Sequence, residues 1–200
     1  MAGLLIKDLK NISNQFVYYF AAFLGLIVFS IVTKNIYILG GIVFLSVSLP
    51  LSALTADEKV NWDTFALAAG ITRRGLVLYR YAVAYCVGIP LLVCGFAVAG
   101  LAGYLDFKAT AVLAAYGGIS FLVINAMLPI VLKKGSEHAQ MAYLIMFVGV
   151  VLMSVIFAVA IELLGTVAVW IVAFLPFILG CLSFIPSVFC ALKIYKNKDF

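Results

Sequence analysis

Long apolar runs separated by short polar connections dominate the chain, and their lengths decide what each can form. The hydrocarbon core of a bilayer is about 30 Å thick and takes roughly 20 apolar residues per helix. Six runs meet that demand, at 16–33, 36–56, 76–104, 109–132, 141–161 and 166–192. The pattern predicts an all-α membrane protein of six transmembrane helices in one domain over residues 1–200. The runs at 76–104 and 166–192 are longer than a perpendicular crossing needs, so those helices are expected to tilt, to project beyond the membrane or to break into short pieces at the outer side.

Two polar segments carry a helical period of their own. Leu5, Leu9, Ile12 and Phe16 recur at spacings of 4, 3 and 4, with Lys7, Lys10, Asn11 and Asn14 between them. That predicts an amphipathic helix over 1–15 lying along the membrane interface, with a disordered tail as the alternative. The connection from 57 to 75 is the longest in the chain. Thr55 and Glu58 have capping-box spacing, and the acidic pair Asp57 and Glu58 suits a helix amino terminus. Trp62, Phe65, Ala66 and Ala69 then form an apolar stripe, and Gly70 is a plausible stop, so a short helix is expected over 57–70. The alternative is a solvated loop. Thr72 is placed to cap the next helix, with Arg73 and Arg74 in its first turn, against the local dipole. Lipid phosphates or an acidic partner surface would explain them. Arg80, two turns on, is expected to snorkel to the interface.

Composition and charge sharpen this picture. The chain is 66% hydrophobic and 10% charged, against about half and a quarter in soluble domains. A water-soluble fold is excluded. With the amino terminus inside, the inner segments hold eleven Lys and Arg and the outer ones only Lys34 and Lys108. Lys and Arg collect in cytoplasmic loops, so both termini are expected in the cytoplasm. The basic pI near 9.0 then reflects topology and not a nucleic-acid partner. The dipeptide Gly-Lys, needed in a phosphate-cradling loop, does not occur. Any pumping would draw on an ion gradient or on another chain.

Chemistry inside the spans is sparse. Arg80 and Glu162 lie near span ends, and deeper polarity is limited to neutral groups such as Ser46, Ser48, Ser52, Ser120, Asn125 and Ser154. Ion-coupled carriers usually need buried carboxylates. Asn125 is either an interhelical hydrogen-bonding residue or faces a pathway. Cys86, Cys94, Cys181 and Cys190 suit helix packing better than a metal site or a disulfide. The run from Gly135 to His138 has no cavity to exclude water, so no catalytic or metal site is expected. Gly95, Ala99 and Gly103 repeat every fourth residue, as do Ala114 and Gly118, so helix backbones approach closely there. Pro50, Pro90, Pro129, Pro176 and Pro186 each free a carbonyl within a span.

Three features together carry a family resemblance. They are the amphipathic opening Leu4-Leu5-Ile6-Lys7-Asp8-Leu9, the six spans, and the run Asp57-Glu58-Lys59, Trp62-Asp63, Phe65-Ala66-Leu67, Ile71, Arg73-Arg74, Val77, Arg80-Tyr81. The chain resembles the ABC-2 type permeases of bacterial exporters, with type V exporter-like architecture. It is most similar to small permeases without extracellular domains, such as exporters of phenol-soluble modulins. Ala68-Ala69-Gly70 stands where relatives often carry a proline. The resemblance implies that the loop after the second span is a coupling helix docking on a separate ABC ATP-binding subunit, which would hold ATP and Mg. Asp57, Glu58, Lys59, Trp62, Asp63 and Phe65 would make that contact, with Arg73 and Arg74 alongside. Lys133, Lys134, Glu137 and His138 would make a second one. It further implies a second permease copy, favoured as a homodimer, and an amphipathic peptide substrate moved by alternating access. The setting would be the bacterial inner membrane with its lipid, and this chain would carry no cofactor. The competing readings are an ion-coupled carrier and a membrane scaffold or immunity protein.

Overall fold

The computed structural model describes residues 2–103, 106–135 and 166–198, together with scattered helical positions between 144 and 159. Among the described residues the elements are all helical: α1 (Ala2–Thr33), a 3-10 turn (Ile36–Gly40), α2 (Gly41–Lys59), α3 (Trp62–Ala68), α4 (Arg73–Leu101), α5 (Phe107–Lys134) and α6 (Thr166–Lys196). Among the described residues four stretches are long and apolar enough to cross a membrane, namely Tyr37–Lys59, Arg73–Leu101, Ala109–Lys134 and Phe174–Lys196. Most of the run at 141–161 lies outside the described residues. Leu144, Val148, Val151, Leu152, Val155, Ile156 and Val159, which are described, are exposed.

Three boundaries differ from the sequence expectation. The segment expected along the interface and the first apolar run are one unbroken helix, α1. No glycine or proline lies between Gly3 and Gly25 to end it. At 1.5 Å per residue its 32 residues span roughly 48 Å, so part of it must extend past a hydrocarbon core of about 30 Å. The side-chain surroundings of Leu5, Leu9, Ile12 and Phe16 lie outside the described residues. The expected capping box does not form, because α2 runs on to Lys59 and the Thr55 hydroxyl donates back to the Leu51 carbonyl at 2.9 Å. The break comes instead at Asn61, in the left-handed region at φ 48°. The helix expected over 57–70 is therefore the shorter α3, and Asp57, Glu58 and Lys59 belong to α2.

Gly70 does end α3. Its φ of +85° lets the Ile71 N–H reach the Ala66 carbonyl and its own N–H reach the Leu67 carbonyl, a Schellman closure. Thr72 caps α4 by accepting from the Gly75 N–H at 3.1 Å, and Asp106 caps α5 through the Ala109 N–H at 2.7 Å.

The bundle is organised around α5, whose membrane window is 83% buried. Its alanines and glycines let neighbours come close. Contacts of Gly40 with Tyr116 and of Glu58 with Gly135 make α2 parallel to α5, and those of Phe107 with Trp170 and of Asn125 with Ser183 make α6 parallel to α5. Helix α4 runs opposite to all three, with Gly95 against Ile42 and Gly117 against Leu92. Helix α1 lies outside, meeting α2 where Leu26 packs onto Gly41. Of the expected small-residue stripe, Gly95 and the buried Ala99 face α2 and its approach, whereas Gly103 is a left-handed turn in open space. Gly118 and Gly180 bring α5 and α6 into backbone contact: a β-carbon on Gly118 would stand 2.3 Å from the Phe177 nitrogen. The four cysteines are exposed, which corrects the expectation that they pack between helices.

Candidate functional site

At one end of the bundle the last turns of α2, α5 and α6 and the first turn of α4 converge around α3. Sequence explains why α3 sits there. Its Ala66 is fully buried in one core cluster with Leu54, Leu76, Leu128 and Tyr195, and Trp62 and Ile71 pack against Tyr79 and Val83. The same turn directs Asp63 inward. One carboxylate oxygen pairs with the Arg80 guanidinium of α4, and the other accepts from the Tyr195 hydroxyl of α6. The pair is largely withdrawn from solvent, with side chains 9% (Arg80) and 19% (Asp63) exposed. Asp57 is buried near it, lining a small gap with Pro50, Ala53, Leu54 and Arg80.

A second tie reaches the end of α6. Arg73 donates to the Tyr195 and Lys196 carbonyls at 3.1 and 2.8 Å. A helix carboxyl end carries unpaired carbonyls and partial negative charge. Arg73 thus stands against the dipole of its own helix while satisfying that of another, which is a structural reason for its position that does not require a lipid or partner. Lys198 donates to the Leu132 carbonyl at 3.2 Å and lies over the Tyr195 ring. Glu58 packs so closely on Gly135 that a β-carbon there would be 2.5 Å from its Oε1.

The residues picked out by sequence therefore divide. Glu58, Lys59, Phe65, Arg73, Arg74, Lys133 and Lys134 are exposed at this end. Phe65 is 63% exposed, with its ring 5.2 Å from that of Trp62. Asp57 is buried, Trp62 is half-buried, and Asp63 is committed to Arg80 and Tyr195, so the Arg80 guanidinium ends in an ion pair at this end of the bundle. Glu137 and His138 lie outside the described residues. Tyr195 is missed by sequence reading: a tyrosine ending an apolar span looks like an interface anchor, and only the fold brings it to α3.

Deeper in the bundle, Asn125 is 3% exposed and fully engaged. Its Oδ1 accepts from the Tyr85 hydroxyl at 2.8 Å, and its Nδ2 donates to the Gly180 carbonyl and Ser183 Oγ at 3.0 and 2.9 Å. Pro129, four residues on, has no N–H for the Asn125 carbonyl. Ser187 Oγ donates to that carbonyl instead, and having one proton it accepts from the Tyr81 hydroxyl. Of the two roles open for Asn125, the geometry gives interhelical bonding. Asn125→Ala is expected to lower stability by about 1–2 kcal/mol, read as a reduced melting temperature in detergent with unchanged oligomeric size. Beside this knot a groove of about 510 Å³ is lined by Leu78, Tyr81, Tyr85, Ile89, Phe121 and Phe184, among others. Its two tyrosine hydroxyls are used within the protein, so it offers ring faces.

These observations define a multi-pass helical membrane protein with one reinforced, charged end. Residues 3–196 match the model of an ABC-2 family transporter protein. The chain belongs to that family. It is accordingly a membrane transport component, a permease of an ABC transporter, and its family implies an ABC ATP-binding partner. No curated protein and no solved structure matches it.

Proposed function

We propose that the chain is the permease of an ABC exporter and that the α3 end is where the ATP-binding subunit docks. The observation that carries this reading is the construction of that end. A seven-residue helix is anchored from within, while Glu58, Lys59, Val60 and Phe65 remain exposed around it. An exposed aromatic flanked by charges is the composition of a protein contact, and the anchoring lets an applied force reach the spans. The Lys and Arg count supports a cytoplasmic position for this end, and the resemblance to bacterial exporters supports the inner membrane as its setting. Helices α5 and α6 run parallel, which supports a return crossing between them and hence six spans. Few buried charges and a groove of aromatic rings favour an amphipathic peptide or similar hydrophobic compound as cargo. Two permease copies with two ATPases would supply the path, with ATP and Mg on the partner.

Replacing Glu58 and Phe65 together with alanine is expected to abolish co-isolation of the ATP-binding subunit without changing the permease's melting temperature. Retained binding with full ATP-dependent export would sink the docking assignment. An ion-coupled carrier would instead move cargo in vesicles lacking any ATPase, and a scaffold would move none.

A further inference from the structure

The polar junction has a directional property. Helix α3 is tied by one carboxylate to two different spans, and the Tyr195 hydroxyl makes the tie to α6. Tyr195 is fully buried and ends the α6 core contact. On the α4 side the matching tie is the ion pair with Arg80. Asp63 has two oxygens, and each holds a different helix, so a shift of α3 acts on α4 and α6 together.

From this we infer that Tyr195 is a positioning residue that carries displacement of α3 into α6, so that α6 moves when a partner pushes on α3. The inference rests on the docking reading above and deepens it. Helix α6 is suited to respond. It holds Pro176 and Pro186 within its length, and each removes a helical hydrogen bond and permits bending. The Ser187 and Asn125 bonds lie next to the second bend. The tie needs a hydrogen-bond donor at the tip of a ring that is already packed, so ring and hydroxyl can be separated experimentally.

The test uses the assembled permease and ATP-binding subunit in lipid nanodiscs, with the four native cysteines replaced and spin labels at the exposed positions Val28 in α1 and Leu182 in α6. The distance between them is read by pulsed electron resonance without nucleotide and after trapping with ATP and vanadate. The unsubstituted chain is expected to show a trapped-state shift. Tyr195→Phe keeps the ring and should lose that shift while the ATP hydrolysis rate is unchanged. Placing 4-aminophenylalanine at 195 restores an N–H donor and should restore the shift, which a purely structural role for the ring does not predict. Persistence of the full shift in Tyr195→Phe overturns the inference, as does a bound, hydrolysing complex in which the unsubstituted chain shows no shift. Failure of the ATP-binding subunit to assemble at all counts against the docking reading, and is seen separately in the co-isolation step. If Tyr195→Phe lowers the yield, 4-fluorophenylalanine at 195, which fills the hydroxyl's space but cannot donate, takes its place: loss of the shift with hydrolysis retained supports the tie, and a full shift overturns it.

Discussion

Gly118→Ala is expected to separate α5 from α6 and leave little folded protein. The added β-carbon would stand 2.3 Å from the Phe177 nitrogen and 2.4 Å from the Pro176 carbonyl carbon. These are backbone atoms, so no side-chain rotation relieves the clash. Overpacking among side chains typically costs about 1–3 kcal/mol, occasionally more, and a contact that only helix displacement relieves belongs at or beyond the upper end. The displacement would also pull Gly180 and Ser183 away from Asn125. Gly25→Ala is the matched control. It lies within a helix with nothing within 4 Å of the new carbon, and there alanine should stabilise by about 0.5–1 kcal/mol. Monodisperse yield and melting temperature in the same detergent separate the two: a Gly118→Ala protein as stable as the Gly25→Ala one would refute the close α5–α6 crossing.

Asp63→Ala has the second large effect. It removes the carboxylate but leaves the Arg80 guanidinium buried, and breaking one side of a buried ion pair typically costs about 3–5 kcal/mol. The Tyr195 hydroxyl loses its acceptor as well. Replacing both charges, as in Asp63→Ala with Arg80→Leu, should recover much of the loss, because an apolar pair carries no stranded charge. The cycle of thermal or denaturant midpoints measures this. Additive losses in the double variant would mean that Asp63 and Arg80 do not depend on each other.

Much of the fold is legible before any coordinates. The apolar runs locate α2, α4, α5 and α6 to within a few residues, since solvation in a bilayer leaves little choice of element. The cap at Thr72 and the stop at Gly70 are legible because both are local chemistry. Boundaries set by competition are less so. Thr55 with Glu58 has the spacing of a cap, yet α2 continues through them, because continuing a formed helix is easier than nucleating another. The candidate site splits in the same way. That the loop after the second span is special can be read from its pattern, but which of its side chains face outward cannot. The resemblance implies a docking contact for Asp63, yet its partners lie within the chain, 17 and 132 residues away. No local period encodes such pairings. Arg73 is similar: its awkward place at a helix start is visible in sequence, whereas the carbonyls that explain it are more than a hundred residues distant.

If this permease receives an ATP-binding subunit at the α3 end, isolation of the tagged chain from its native membrane in mild detergent will show it. An ABC ATP-binding subunit is expected to come with it in equal amount, the complex to hydrolyse ATP, and Glu58→Ala with Phe65→Ala to release the subunit from a permease that remains folded. Isolation of an intact permease with no ATP-binding subunit, or retention of that subunit by the doubly substituted chain, would contradict it.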